Sequence, residues 1–264
     1  MNWSRVSALV LRYTYLYTRS VPRILETVFW PVMDLLVWGF VTTYLLKGQF
    51  GVPKSITFLI GATIFWDILY RSQQAITISF LEDVWSRNLL NIFVAPIRLR
   101  EFVAATYVVG FVKVLLTVSM MTGLSILLYH FNLFTLGLAL LPFFINLLLM
   151  GWAVGLITTG MILRWGQASE ALVWGIPFFI QPFSAVFYPL DVLPLPFRVI
   201  ARCFPSTYVF EGMREVLSTH HVSAFNLLCA FGLNGVYFVA GGFFFGFMFR
   251  HARDHGLLTK LGTQ

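Results

Sequence analysis

The chain has 264 residues, 58% of them hydrophobic and only 11% charged, with a mean hydropathy of +0.80, whereas an ordinary globular domain carries about 25% charge. Composition therefore makes it an integral membrane protein, and spans of about 20 apolar residues each leave no room for a separate soluble enzyme domain. The net charge of +7 does not call for nucleic acid: no basic run with interleaved aromatics forms a soluble patch, and basic residues flanking spans follow from orientation bias alone.

No cleavable signal peptide is expected, because the first apolar run begins only after Arg23 and has no small-residue cleavage site behind it. Residues 2–20 place Trp3, Val6, Val10, Tyr13 and Tyr17 at spacings of three and four, with Arg5, Arg12 and Arg19 on another face. That pattern predicts an amphipathic helix lying in the membrane interface, aromatic side in the lipid and arginines toward headgroups.

The first span is expected over about 24–46. It carries Glu26, Trp30, Asp34 and Trp38 at every fourth residue, an acidic and aromatic stripe. Glu26 is near enough to the end to be interfacial, whereas Asp34 lies deeper. An ionisable group at mid-membrane costs roughly 2.5–3.5 kcal/mol, so each one asks for a reason. The second span, about 55–80, holds Asp67 and Arg71 four apart with the acid first, the favourable order for a same-helix pair. They are either a self-neutralised structural pair or part of a pathway. Lys113, in the third span (about 102–128), either neutralises Asp34 or Asp67 or lets its long stem snorkel.

Between spans two and three lies a polar stretch whose helix is expected over 82–96, with Trp85, Leu89, Ile92 and Phe93 on one face, Arg87 and Asn91 opposite, and Pro96 at its end. An apolar anchor set of this kind serves either a soluble partner or the membrane surface. The fourth span (about 133–163) follows a turn at His130-Phe131-Asn132. The fifth (about 168–188) is interrupted by Pro177 and Pro182 around Gln181. Residues 189–223 are too long for a turn and too apolar for a solvated loop, which predicts short proline-broken helices in a re-entrant hairpin outside the cytoplasm. The sixth span (about 225–249) precedes a basic tail.

Gly151-x-x-x-Gly155 and Gly242-x-x-x-Gly246 are expected to pack helices within the chain. Cys203 and Cys229 form no framework. His220-His221 has no carboxylates at ligand spacing, so no metal is expected. The flanking basic residues divide eleven to five in favour of the face holding Arg5, Arg87, Arg98, Arg164 and Arg250, which predicts both termini in the cytoplasm. The expected fold is thus one all-α membrane domain, 1–264, with six transmembrane helices.

This order of elements resembles the permease subunit of ABC-2 type exporters. Glu82-Asp83 ahead of the Trp85 helix, with Ala95-Pro96 closing it, is similar to that family's coupling helix. Phe204-Pro205-Ser206-Thr207-Tyr208-Val209-Phe210-Glu211-Gly212-Met213-Arg214 is similar to its proline-led segment with a Glu-Gly-x-Arg-like end. The resemblance implies a homodimer in a bacterial-type cytoplasmic (inner) membrane, with membrane lipids around it and two copies of a separate ABC ATPase that bring ATP and Mg. No phosphate-binding loop occurs in this chain, because it contains no Gly-Lys pair. Glu82, Asp83, Trp85, Arg87, Leu89 and Phe93 would engage the ATPase. Trp30, Asp34, Asp67, Arg71 and Gln181 would border the path, and Tyr208, Glu211 and Arg214 an outer gate. The expected function is export of an amphipathic, lipid-linked or glycan substrate. The rival readings are a proton-coupled secondary transporter and a polytopic membrane enzyme. The enzyme lacks any nucleophile and base at one depth.

Overall fold

The computed structural model describes residues 1–47, 57–86, 88, 92, 94–219 and 221–256. Among these the protein is helical throughout, with no strand. Nine α-helices follow in order: α1 (Trp3–Thr18), α2 (Val21–Lys47), α3 (Phe58–Trp85), α4 (Leu99–Tyr129), α5 (Leu140–Trp165), α6 (Glu170–Ile180), α7 (Leu195–Ala201), α8 (Pro205–Thr219) and α9 (Ala224–Asp254). Among the described residues, four segments are long and apolar enough to cross a membrane: Val21–Lys47, Leu99–Tyr129, Leu133–Trp165 and Ala224–Asp254.

α3 is the axis of the bundle, and α5, α4, α2 and α6 all pack on it. At 28 residues it has the length of a span, but its polar residues keep it outside the apolar set. Those residues are buried in protein: Asp67, Ser72, Gln73, Gln74, Thr77 and Ser79 lie inside the bundle. The Ser72, Thr77 and Ser79 hydroxyls donate to carbonyls four residues back, so the helix hides its own polarity. Gly151 and Gly155 make the close approach of α5 possible, since a Cβ on Gly151 would stand 2.5 Å from the Leu69 carbonyl oxygen. The second glycine pair differs from expectation. Nothing lies within 4 Å of a Cβ on Gly242 or Gly246, and the packed glycine is Gly241, 2.9 Å from the Ala153 carbonyl oxygen. The buried face of α9, with Gly241, Phe245 and Met248, is one residue out of register with the glycine motif.

One face of α1 is covered by protein. Val6, Leu9 and Tyr13 are buried in a core shared with Phe80, Phe102 and Ile92, while Trp3 and Tyr15 are exposed. The helix has a partner to pack on after all: α4 and the end of α3.

The region 168–188 is an 11-residue helix, α6, flanked by single 3-10 turns at Gly166–Ser169 and Gln181–Phe183. The chain breaks at Pro182, whereas Pro177 is accommodated inside α6. A proline cannot serve the carbonyl four residues before it. For Pro177 that carbonyl belongs to Val173, and the Gln73 and Gln74 side-chain amides of α3 donate to it at 3.3 and 3.2 Å.

The stretch 189–223 folds into short helices between prolines, as its composition requires, and α8 buries Val209, Phe210 and Met213 in the core around Phe143.

Candidate functional site

The helix expected over 82–96 does not start at Glu82. α3 continues to Trp85 and is capped at Ser86, so Glu82 and Asp83 sit on its last turn, buried. What makes this tolerable is a set of cations from elsewhere. Arg12 pairs with Asp83, whose other oxygen accepts the Tyr13 hydroxyl at 2.7 Å. Arg23 Nε lies 3.3 Å from Glu82 Oε1 and its Nη1 donates to the Leu16 carbonyl at 3.0 Å. At the start of α4, buried Glu101 accepts from the Asn2 and Arg98 amides at 2.7 and 2.9 Å and lies 3.6 Å from Arg5. α1 therefore clasps both ends of the stretch 86–98.

Titration in the clasp follows from this packing. Burial alone would lower the Arg12 guanidinium, but hydrogen bonding to Asp83 and its charge more than offset that, and the group is raised. Burial, then the Asp83 carboxylate, pushes the Tyr13 phenol well above its ordinary value. The Tyr17 phenol rises for the same reason, with Glu82 as the nearby charge. Both phenols stay protonated donors at neutral pH.

Beside the clasp a cavity of about 440 Å³ lies along α3, between α2 and α6. One stripe of α3 forms its floor: Tyr70, Arg71, Gln74, Ala75, Ile78 and Glu82. At helical rise these cover about 18 Å. α1 contributes Tyr17; α2 contributes Arg23, Glu26, Thr27 and Trp30; α4 contributes Lys113; α6 contributes Trp174 and Phe178. Arg71 is held by Asp67 at 3.2 Å. The Lys113 ammonium stands 3.0 Å above the Tyr17 ring, a cation–π contact, and not beside Asp34 or Asp67. Two carbonyls on cavity residues lack their usual intrahelical donors, because Pro31 and Pro182 have no amide to give Thr27 and Phe178.

Of the expected path residues, Trp30 and Arg71 line this cavity and Asp67 backs it. Asp34 is exposed one turn beyond Trp30, and Gln181 caps α6; neither lines the cavity. Of the expected coupling residues, Glu82 and Asp83 are buried in the clasp and Trp85 is 44% exposed. Ile92, expected on the same exposed face, is buried against α1. Arg87, Leu89, Asn91 and Phe93 lie outside the described residues, as does His220.

The outer set is a staple. Glu211 accepts from the Leu190 amide at 2.9 Å and from Arg214 at 2.7 Å. Arg214 also donates to the Ala185 and Val186 carbonyls and lies 4.2 Å over Phe58. Tyr208 donates to the Arg202 carbonyl at 3.1 Å. Together these tie α8 to the loop after α6.

Sequence reasoning weighed Lys113 only against Asp34 and Asp67 or as a snorkelling side chain, not with Tyr17, and passed over Arg23, Gln74 and Trp174 as cavity residues. The polar run Arg71-Ser72-Gln73-Gln74, inside an expected span, was the signal that something polar faces α3. No protein-family model and no curated protein matches this chain.

Proposed function

We propose that this chain is the membrane subunit of an ATP-driven exporter, working as a homodimer with two copies of a separate ATPase that binds ATP and Mg. It moves an amphipathic, lipid-linked or glycan substrate out of the cytoplasm or the inner leaflet. In this reading α3 and the α6 region join the four long apolar helices as six spans, and both termini are cytoplasmic.

The observation that carries the reading is the charged, aromatic cavity on α3, enclosed among helices whose outer faces are apolar. Buried charge inside a membrane bundle marks a path or a relay by default. A second support is the clasp: the stretch from Trp85 to Arg98, which the ATPase would engage through Trp85, Leu89 and Phe93, is flanked at both ends by acids held by α1, and α1 adjoins the cavity. The staple of Tyr208, Glu211 and Arg214 fits an outer gate that is held shut.

The buried Asp67–Arg71 pair favours a second reading, a proton-coupled transporter, in which Asp67 would load and release the proton. The two separate in one experiment. Vesicles carrying this chain alone are compared with vesicles carrying it with a co-purifying ABC ATPase. Transport that needs the ATPase and nucleotide supports the exporter; transport by the chain alone under a proton gradient overturns it.

A further inference from the structure

The cavity wall carries charges of both signs, and two of them have no direct ion pair. Among the described residues Lys113 has no carboxylate within ion-pair distance, only the Tyr17 ring, and Glu26 has no ion pair either. One side chain on the floor, Gln74, is more than nine-tenths buried and has an acceptor oxygen, Oε1, without a donor. On the donor side stand Lys113 and the ends of Arg23 and Arg71 that their carboxylates do not engage.

Each simple ligand class leaves part of this wall unanswered. A purely anionic head would meet Glu26 and Glu82, and a purely cationic one would meet Arg23, Arg71 and Lys113. A neutral sugar would hydrogen-bond but leave Lys113 without a counter-charge, and buried charge is costly unless paired. A head carrying one anion and one hydrogen-bonding cation answers both sets. We infer that the cavity binds a zwitterionic lipid head of the phosphoethanolamine kind: its anion lies on Lys113 and Arg23, and its ammonium on Glu26 and Gln74. A volume of about 440 Å³ falls within the usual range of small-molecule sites, about 300–1,000 Å³. At the mouth Trp30 and Phe178 are each 57% exposed, an apolar lip along which acyl chains can leave for the bilayer. The assignment deepens the exporter reading and rests on taking this cavity as the substrate's path.

The test is binding to the purified full chain in maltoside micelles, by calorimetric titration. The probes are dihexanoyl phosphatidylethanolamine, dihexanoyl phosphatidylglycerol and chain-free glycerophosphoethanolamine. The ethanolamine lipid is expected to bind at least about tenfold more tightly than the glycerol lipid and than its chain-free head. Glu26→Gln and Lys113→Met should each weaken it about tenfold, with Lys113→Arg restoring part of the loss. Glu26 is exposed, so its variant folds, and unchanged thermal unfolding verifies this. Equal binding of the two lipids, or an unaffected Glu26→Gln, overturns the zwitterion assignment. Equal binding of the chain-free head overturns the lipid source. Selective binding without ATP-driven transport upholds this site and removes the exporter reading, whereas ATP-driven transport without the selectivity does the reverse.

Discussion

The Gln74 side-chain amide donates at 3.2 Å to the Val173 carbonyl, the one acceptor in α6 that Pro177 leaves unserved. Gln73 shares the task and also reaches Thr158 at 3.3 Å. A helix that contains a proline is thus repaired from its neighbour, and α6 is fixed to the α3–α5 layer by a defect in its own backbone. In the membrane interior an unserved carbonyl has no water to turn to.

Replacing both glutamines, Gln73→Leu with Gln74→Leu, should cost about 1–3 kcal/mol by leaving that carbonyl unpaired. Adding Pro177→Ala restores an amide at position 177 and should return part of the loss. Thermal unfolding of the four variants as a double-mutant cycle reads the coupling, and additive effects would show that the repair is unimportant.

Asp83 is the most heavily engaged acid of the clasp. Asp83→Asn should loosen α1 by about 1–3 kcal/mol, because Tyr13 and Arg12 lose a charged acceptor in a buried setting. Arg12→Gln should cost at least as much, since it leaves the buried Asp83 carboxylate without its cation. Hydrogen exchange along residues 3–18 is the measurement; equal protection in the parent and Asp83→Asn would mean that α1 is held by its apolar face alone.

The two glycine motifs should respond oppositely. Gly151→Val drives a side chain into the α3 backbone and should destabilise by about 1–3 kcal/mol. Gly242→Ala meets open space and should be neutral or gain up to about 1 kcal/mol of helix propensity. If Gly242→Ala were as harmful as Gly151→Val, a second copy of the chain would have to be seated on that face.

For the exporter reading, Trp85→Ala with Phe93→Ala should leave the chain folded while ATP hydrolysis by the partner no longer drives transport. Hydrolysis and transport are measured together in reconstituted vesicles. Unimpaired coupling in the double variant removes the role assigned to this stretch.

The long apolar helices were legible because their signal is local: twenty or more apolar residues state their own fate, as in α4 and α9. The same locality misled the reading at Glu82-Asp83, where two adjacent acids look like a break between helices. They end up inside α3 because Arg12 and Arg23, some sixty to seventy residues earlier, neutralise them, and no window along the chain contains both partners. Pro177 and Pro182 looked alike for a similar reason: only Pro177 has a neighbour that serves its lost acceptor. The cavity was half visible. Trp30, Asp67 and Arg71 stood out as oddities within spans, but Lys113 over Tyr17 depends on α1 folding back against α4, which its amphipathic pattern does not specify.

Arg23 is shared property. It holds Glu82 at the foot of α3, ties itself to Leu16 at the end of α1, and forms part of the cavity wall. On the exporter reading, a pull on the ends of the stretch 86–98 would act like a bell-rope, reaching the chamber's own lining through α1 and Arg23.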